Sequence, residues 1–288
     1  MAKLIIEAGR GERQYWRDLW RYRELFVFLA WRDLLIRYKQ TAVGIAWAVL
    51  RPFLTMMVLT LMMLVTKLKG DGVSPVPLFV FSAMLPWQFF STALSESGTS
   101  LITNSNLISK VYFPRLVVPA SSVITSFVDF VIAGLFMILV MIWYHFVPPI
   151  NVLALPIFIL FTFGASFGVG LWIAALMVKY RDFRFVVPFM VQFGLYALPV
   201  FVMTNKIPLI VPAQYADKWP LLHDVNPRLL YSLNPVVGII DGFRWSILGG
   251  PNALYWPGQI ASVAGVFILI VSGLWYFRKT ERSFADVI

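Results

Sequence analysis

Val117-Val-Pro-Ala-Ser-Ser-Val-Ile-Thr-Ser-Phe-Val-Asp-Phe-Val-Ile-Ala-Gly-Leu-Phe-Met-Ile-Leu-Val-Met-Ile-Trp-Tyr144 carries one charged side chain, Asp129, in 28 residues. As a helix it rises about 42 Å, more than the roughly 30 Å hydrocarbon layer of a bilayer. Such a stretch reads as a membrane span that tilts or projects. Five more apolar runs bounded by charge or by Pro and Gly follow the same logic, at 43–66, 78–95, 152–178, 185–203 and 259–277. The expected fold is an all-α integral membrane protein with six transmembrane helices in one permease domain, 1–288. Prolines 52, 86, 156, 188 and 199 fall in or near these runs. In lipid they are tolerated because neighbouring helices satisfy the freed carbonyls.

The whole composition agrees. Of 288 residues, 59% are hydrophobic, 16% aromatic and 13% charged, against about 25% charged in a soluble domain. A water-soluble enzyme and a nucleic-acid binder are therefore disfavoured despite a net charge of +10. There is no cysteine, which excludes disulfides and thiolate chemistry, and two histidines, His145 and His223, are too few for a histidine zinc site. Positive charge from Lys3 to Lys39, with no apolar core ahead of a cleavage site, does not read as a signal peptide.

Charge also orients the chain. Of its 24 Lys and Arg, 18 fall in 1–51, 96–116, 179–184 and the C-terminal segment, and six fall in the alternate loops. The positive-inside rule places both termini in the cytoplasm, and the surplus charge faces anionic lipid.

Three segments are not simple spans. In 13–40, Arg13, Arg17 and Arg21 recur every four residues and stack on one helix face, with Trp16, Leu19, Trp20, Phe26 and Leu29 elsewhere. This predicts an amphipathic helix in the membrane interface, or a helix packed on another subunit. The loop 105–115 is short and stopped by Pro114, and a short helix between two long spans acts as a lever. In the long loop 204–258, Asn234 reads as an N-cap, Pro235 as the first turn and Gly249 as the stop of a helix over 235–248. That helix is too apolar for a free surface and too short to span, so it is expected to be re-entrant or interfacial at the outer mouth.

Sites of chemistry are few. No phosphate-binding GxxxxGK[ST], HExxH or GxSxG pattern occurs. The acidic residues in or beside the spans are Glu96 and Asp129; Asp129 is expected to bond to hydroxyls such as Ser126 or Thr125, or to a neighbouring helix. Arg51 either snorkels to headgroups or meets a phosphate in a cavity. Gly164-Ala-Ser-Phe-Gly168 offers a small-residue face for close helix contact. Trp47, Trp87, Phe89, Phe90, Phe189, Phe193, Tyr196 and Phe201 lie along spans one, two and five, where rings either face lipid or stack on sugars in a pore.

Trp31-Arg-Asp-Leu-Leu-Ile-Arg-Tyr-Lys-Gln-Thr-Ala-Val-Gly-Ile-Ala-Trp47 with Arg51-Pro52, Lys110-Val-Tyr-Phe-Pro-Arg115, Tyr180-Arg181-Asp182, and Asn234-Pro235 leading to Arg244 occur in this order. Together they resemble polysaccharide-export ABC transporter permeases of the ABC-2 superfamily, of the O-antigen or teichoic-acid type, over essentially the whole chain. The resemblance implies the ABC-2 (type V exporter-like) fold and a homodimer paired with two copies of a separate ATPase, which would hold the ATP and Mg. It implies a lipid-linked glycan substrate, with a polyprenyl diphosphate as its lipid, and a place in the cytoplasmic (inner) membrane of a bacterium. This chain itself would need no cofactor and catalyse nothing. By the same resemblance Ser105, Leu107, Lys110, Tyr112, Phe113 and Arg115 couple to the ATPase, and Asn234, Pro235, Asp241 and Arg244 belong to an outer gate. Arg32, Arg37, Lys39 and Arg51 cluster at the cytoplasmic entrance, where they would meet the diphosphate. Rival classes are an ABC-2 exporter of drugs or simple lipids, an ion-coupled flippase and a membrane glycosyltransferase. The outward acids Asp71, Asp217, Asp224 and Asp241 are scattered and match no transferase motif.

Overall fold

The computed structural model describes residues 12–39, 44, 46–66, 75–200, 204–209, 226–249, 254–281 and 284. Phe201, Asp71, Asp217 and Asp224 lie outside them, as does the middle of the long loop. The described residues form helices α1 (Glu12–Arg21), α2 (Arg23–Lys39), α3 (Ala46–Val65), α4 (Val76–Thr103), α5 (Ser105–Lys110), α6 (Val117–Trp143), α7 (Leu155–Lys179), α8 (Phe183–Tyr196), α9 (Pro227–Ser232), α10 (Pro235–Leu248) and α11 (Trp256–Thr280). A 3₁₀ turn, Ile150–Ala154, leads into α7, and another covers Thr204–Lys206.

Five of these helices are long and apolar enough to cross a membrane: α3, α4, α6, α7 with its leading turn, and α11. The sixth expected span, 185–203, is not among these five, and its last residues, 201–203, lie outside the described residues. Over 185–203 the helix is α8, 14 residues and about 21 Å long, and the chain turns at Ala197–Val200. Three other boundaries also move. The single helix expected over 13–40 is two, broken at Tyr22; the second span runs on from the expected 95 to Thr103; and helix in the 105–115 loop ends at Lys110.

α4 is the centre of the bundle. Of its apolar window 83% is buried inside the chain, against 22% to 39% for the other four spans. It packs on α3, α6, α7 and α10. The residues from 95 to 103 read as loop because Ser, Glu, Gly and Thr crowd there. In the helix their hydroxyls are satisfied locally by carbonyls one turn back, as in Ser95 to Ser91, Thr99 to Ser95 and Thr103 to Thr99. Gly98 also lets Ile173 and Met177 of α7 come close.

α7 and α11 cross where each has a glycine. A Cβ on Gly273 would stand 2.4 Å from the Gly168 carbonyl oxygen, and one on Gly168 would stand 2.6 Å from the Leu269 carbonyl carbon. The small-residue face of span four thus serves contact within this chain. A second apolar cluster gathers Leu29, Leu101, Ile108, Phe113, Val178, Phe277 and Phe284. It brings together the ends of α4, α7 and α11, the start of α6 and the α5 turn. These are the segments that the charge count assigns to one side.

Candidate functional site

Two cavities lie between α2 and the spans. The first, about 270 Å³, is walled by Trp47, Arg51 and Pro52 of α3, Gln88, Phe89, Thr92 and Glu96 of α4, Ser126, Asp129 and Phe130 of α6, and Arg37 and Tyr38 of α2. The second, a groove of about 560 Å³, is walled by Arg32, Asp33, Ile36 and Arg37 of α2, by Glu96, Thr99, Ser100 and Thr103 of α4, by Asn104, and by Ser122 and Thr125 of α6.

An ionic cluster stands between them. Arg37 pairs with Glu96 at 2.5 Å and with Asp129, and Tyr38 donates its hydroxyl to Asp129. Ser126 donates to Glu96 at 2.8 Å, and Thr125 donates to the Ser121 carbonyl. Asp129 is therefore held by α2, a neighbouring helix, and the Ser126 and Thr125 hydroxyls go elsewhere. Burial works against the Arg37 charge, but the Glu96 and Asp129 carboxylates outweigh it and hold its pKa above the ordinary value. Burial, helped by the Asp129 bond, pushes the Tyr38 hydroxyl up as well. One turn further back, Arg32 donates to Asp33 and, at 2.7 Å, to Asn104.

The four cations expected at an entrance separate by position. Arg37 and Arg51 share the first cavity, Arg32 faces the groove, and Lys39 is exposed and walls neither. A set missed from sequence is Gln88, Thr92, Thr99 and Thr103. They share one face of α4 with Glu96 at spacings of three and four, a polar stripe in an otherwise apolar helix that a periodicity search would find.

The aromatic set divides. Trp87, Phe89 and Phe90 are buried in the chain's own core, where Phe89 meets Phe127, Phe130 and Phe163 and Trp87 packs on Gly194 of α8. These three fill the bundle instead of facing outward together; Phe89 also touches the first cavity. Phe189, Phe193 and Tyr196 stand exposed along α8, with the first two rings 4.1 Å apart, and Trp47 is half exposed.

The loop after α5 has an anchored and a free part. Ser105 and Leu107 are half-buried, and Lys110, Val111 and Tyr112 are exposed. Phe113 is sunk in the apolar cluster. Arg115 is tied to the C-terminal end of α11: its backbone N–H donates to the Glu281 carboxylate at 2.9 Å and its guanidinium to the Glu281 carbonyl. Burial raises the Glu281 pKa, while the Arg115 N–H, Tyr15 and Arg278 pull it back.

At the other end of the bundle, Asn234 accepts from the Val236 N–H at 3.1 Å and Gly249, at φ +57°, closes α10. Side chains of α10 lock it into the core. Arg244 is 1% exposed; it donates to the Val200 carbonyl at 2.6 Å and covers the Phe79 ring at 3.9 Å. Asp241 accepts from Thr204 at 2.9 Å. Gly238 and Gly242 make room for Ser262 and for the Phe158 ring, which Cβ atoms would meet at 2.3 Å and 2.0 Å.

Known proteins share this pattern over most of its length. The chain is 28% identical over 282 residues to the O-antigen export system permease protein RfbA of Myxococcus xanthus, covering 94% of this chain and 98% of that one. Two proteins of the same name from Klebsiella pneumoniae are 24% and 26% identical, each covering 92% of this chain and 95% of the relative. Residues 24–217 match the family described as ABC-2 type transporter. With that match spanning most of its length, the chain belongs to the ABC-2 type transporter family, as its membrane permease.

Proposed function

We propose that this chain is the membrane channel subunit of an ATP-driven exporter that moves a lipid-linked polysaccharide, O-antigen, across the cytoplasmic membrane. Similarity over more than nine-tenths of the chain to three O-antigen export permeases carries this reading. The missing phosphate-binding motif fits a permease whose ATPase is a separate subunit. Two permeases and two ATPases would make the transporter, with both termini in the cytoplasm.

In this reading the ATPase meets the exposed Lys110-Val111-Tyr112 tip. A push there enters α4 directly, because only Asn104 separates α4 from α5. It also reaches α11 through Arg115 and Glu281. Arg51, on the wall of the first cavity, supplies a cation for the lipid phosphate. The exposed rings of α8 offer flat faces for sugars.

The test is to delete the gene and follow lipid-linked glycan on each side of the inner membrane. Glycan trapped in the cytoplasmic leaflet with surface glycan lost is the expected result. Normal surface glycan would replace this reading by export of a drug or simple lipid.

A further inference from the structure

The two cavities share two residues, Arg37 and Glu96. On either side of that pair the walls continue along the same helix faces. The α4 stripe runs from Gln88 and Thr92 in the first cavity, through Glu96, to Thr99 and Thr103 in the groove. α6 supplies Asp129 and Ser126 to one and Thr125 and Ser122 to the other. The spans therefore line both cavities with polar side chains on the same helix faces, and at the junction Glu96 of α4 meets a side chain from a different element, Arg37 of α2. Arg37 is held there by two carboxylates that both belong to the spans.

A guanidinium between two carboxylates is exchangeable. Its planar donor fork fits phosphate as well as carboxylate, in the same bidentate geometry. The side chains of the cluster are 25% to 30% exposed, so the pairs are not sealed in the core. Once water fills the merged cavities, Glu96 and Asp129 can be solvated without Arg37.

We propose that the Arg37–Glu96–Asp129 cluster is a partition operated by the lipid headgroup: a phosphate on the substrate lipid takes Arg37 from the carboxylates, and groove and cavity become one path. Arg37 then changes partner while Arg51 waits in the cavity behind it. A neutral lipid head cannot make the exchange, so the partition selects for a phosphate-bearing lipid. This deepens the proposed function and rests on its lipid-phosphate substrate.

The test uses the full chain in lipid nanodiscs. Because the chain has no cysteine, nitroxides can be placed at Ile36→Cys on α2 and Thr99→Cys on α4, opposite walls of the groove. Dipolar spectroscopy reads their separation. With no ligand one short separation is expected. Undecaprenyl diphosphate should shift most of the population to a longer one, and undecaprenol should leave it unmoved. Arg37→Met should give the longer separation without ligand. Should that variant fold poorly, the carboxylate pair Glu96→Gln/Asp129→Asn, which keeps Arg37, should do the same. A separation unmoved by these variants overturns the partition, and an equal response to both lipids overturns its phosphate selectivity. If the gene deletion shows that glycan is not the cargo, the phosphate response still stands or falls by itself.

Discussion

Among the described residues, arginine stands near aspartate or glutamate at both ends of the helical bundle, and the two places are built in opposite ways. At the basic end, Arg37 meets Glu96 and Asp129 on the boundary of two cavities, with side chains a quarter or more exposed. At the other end, Arg244 is buried against the Phe79 ring and the Val200 carbonyl, and Asp241 accepts from Thr204. The first cluster ties α2, which also packs along α6, to the spans at the edge of a cavity. The second sits among residues that already pack tightly, including the two glycine contacts of α10. Similar chemistry thus sits at a cavity edge in one place and inside a packed core in the other.

The sharpest way to break this contrast is to remove the buried cation. Arg244→Met should cost about 3–5 kcal/mol, because Asp241 loses its neighbouring charge inside the core; thermal unfolding in detergent reads it. Adding Asp241→Asn should recover much of the loss. Phe89→Ala should follow at about 3 kcal/mol through the cavity it leaves, whereas Phe193→Ala on exposed α8 should change stability by less than about 0.5 kcal/mol and act on glycan export instead. Gly273→Val should cost about 1–3 kcal/mol by forcing α11 off α7, seen as a lower unfolding temperature. Arg37→Met should cost about 1 kcal/mol, since the pairs it breaks are part-exposed. The triple variant Arg37→Met/Glu96→Gln/Asp129→Asn should regain that stability. If Arg37 and Arg244 cost the same, their difference in burial has no energetic consequence. The smallest effect belongs to Arg51→Met, with unchanged unfolding and reduced export.

Local pattern and long-range pairing explain what the sequence made legible. Apolar runs found the five long helices, and Asn234, Pro235 and Gly249 marked α10 to the residue because caps are local chemistry. The polar stretch after Ser95 was misread as loop because side-chain to backbone bonds within one helix turn hide its helical state. α8 read as a span because apolar residues continue past its end, although the chain turns at Ala197. Asp129 could not be paired from sequence: its partner lies 92 residues away on a helix outside the spans. Trp87, Phe89 and Phe90 show the same limit, because a ring in an apolar helix looks alike whether it faces lipid, pore or core.

The burial of α4 has a consequence for biogenesis. It is the least apolar of the five spans and the most enclosed, yet it leaves the ribosome second, with only α3 ahead of it. Its main partners, α6, α7 and α10, are synthesised afterwards. Gln88, Thr92 and Glu96 therefore meet the insertion machinery before the helices that will shelter them exist. A nascent chain halted after α4 should linger at the translocon or depend on a membrane chaperone, and one halted after α7 should be released into the bilayer.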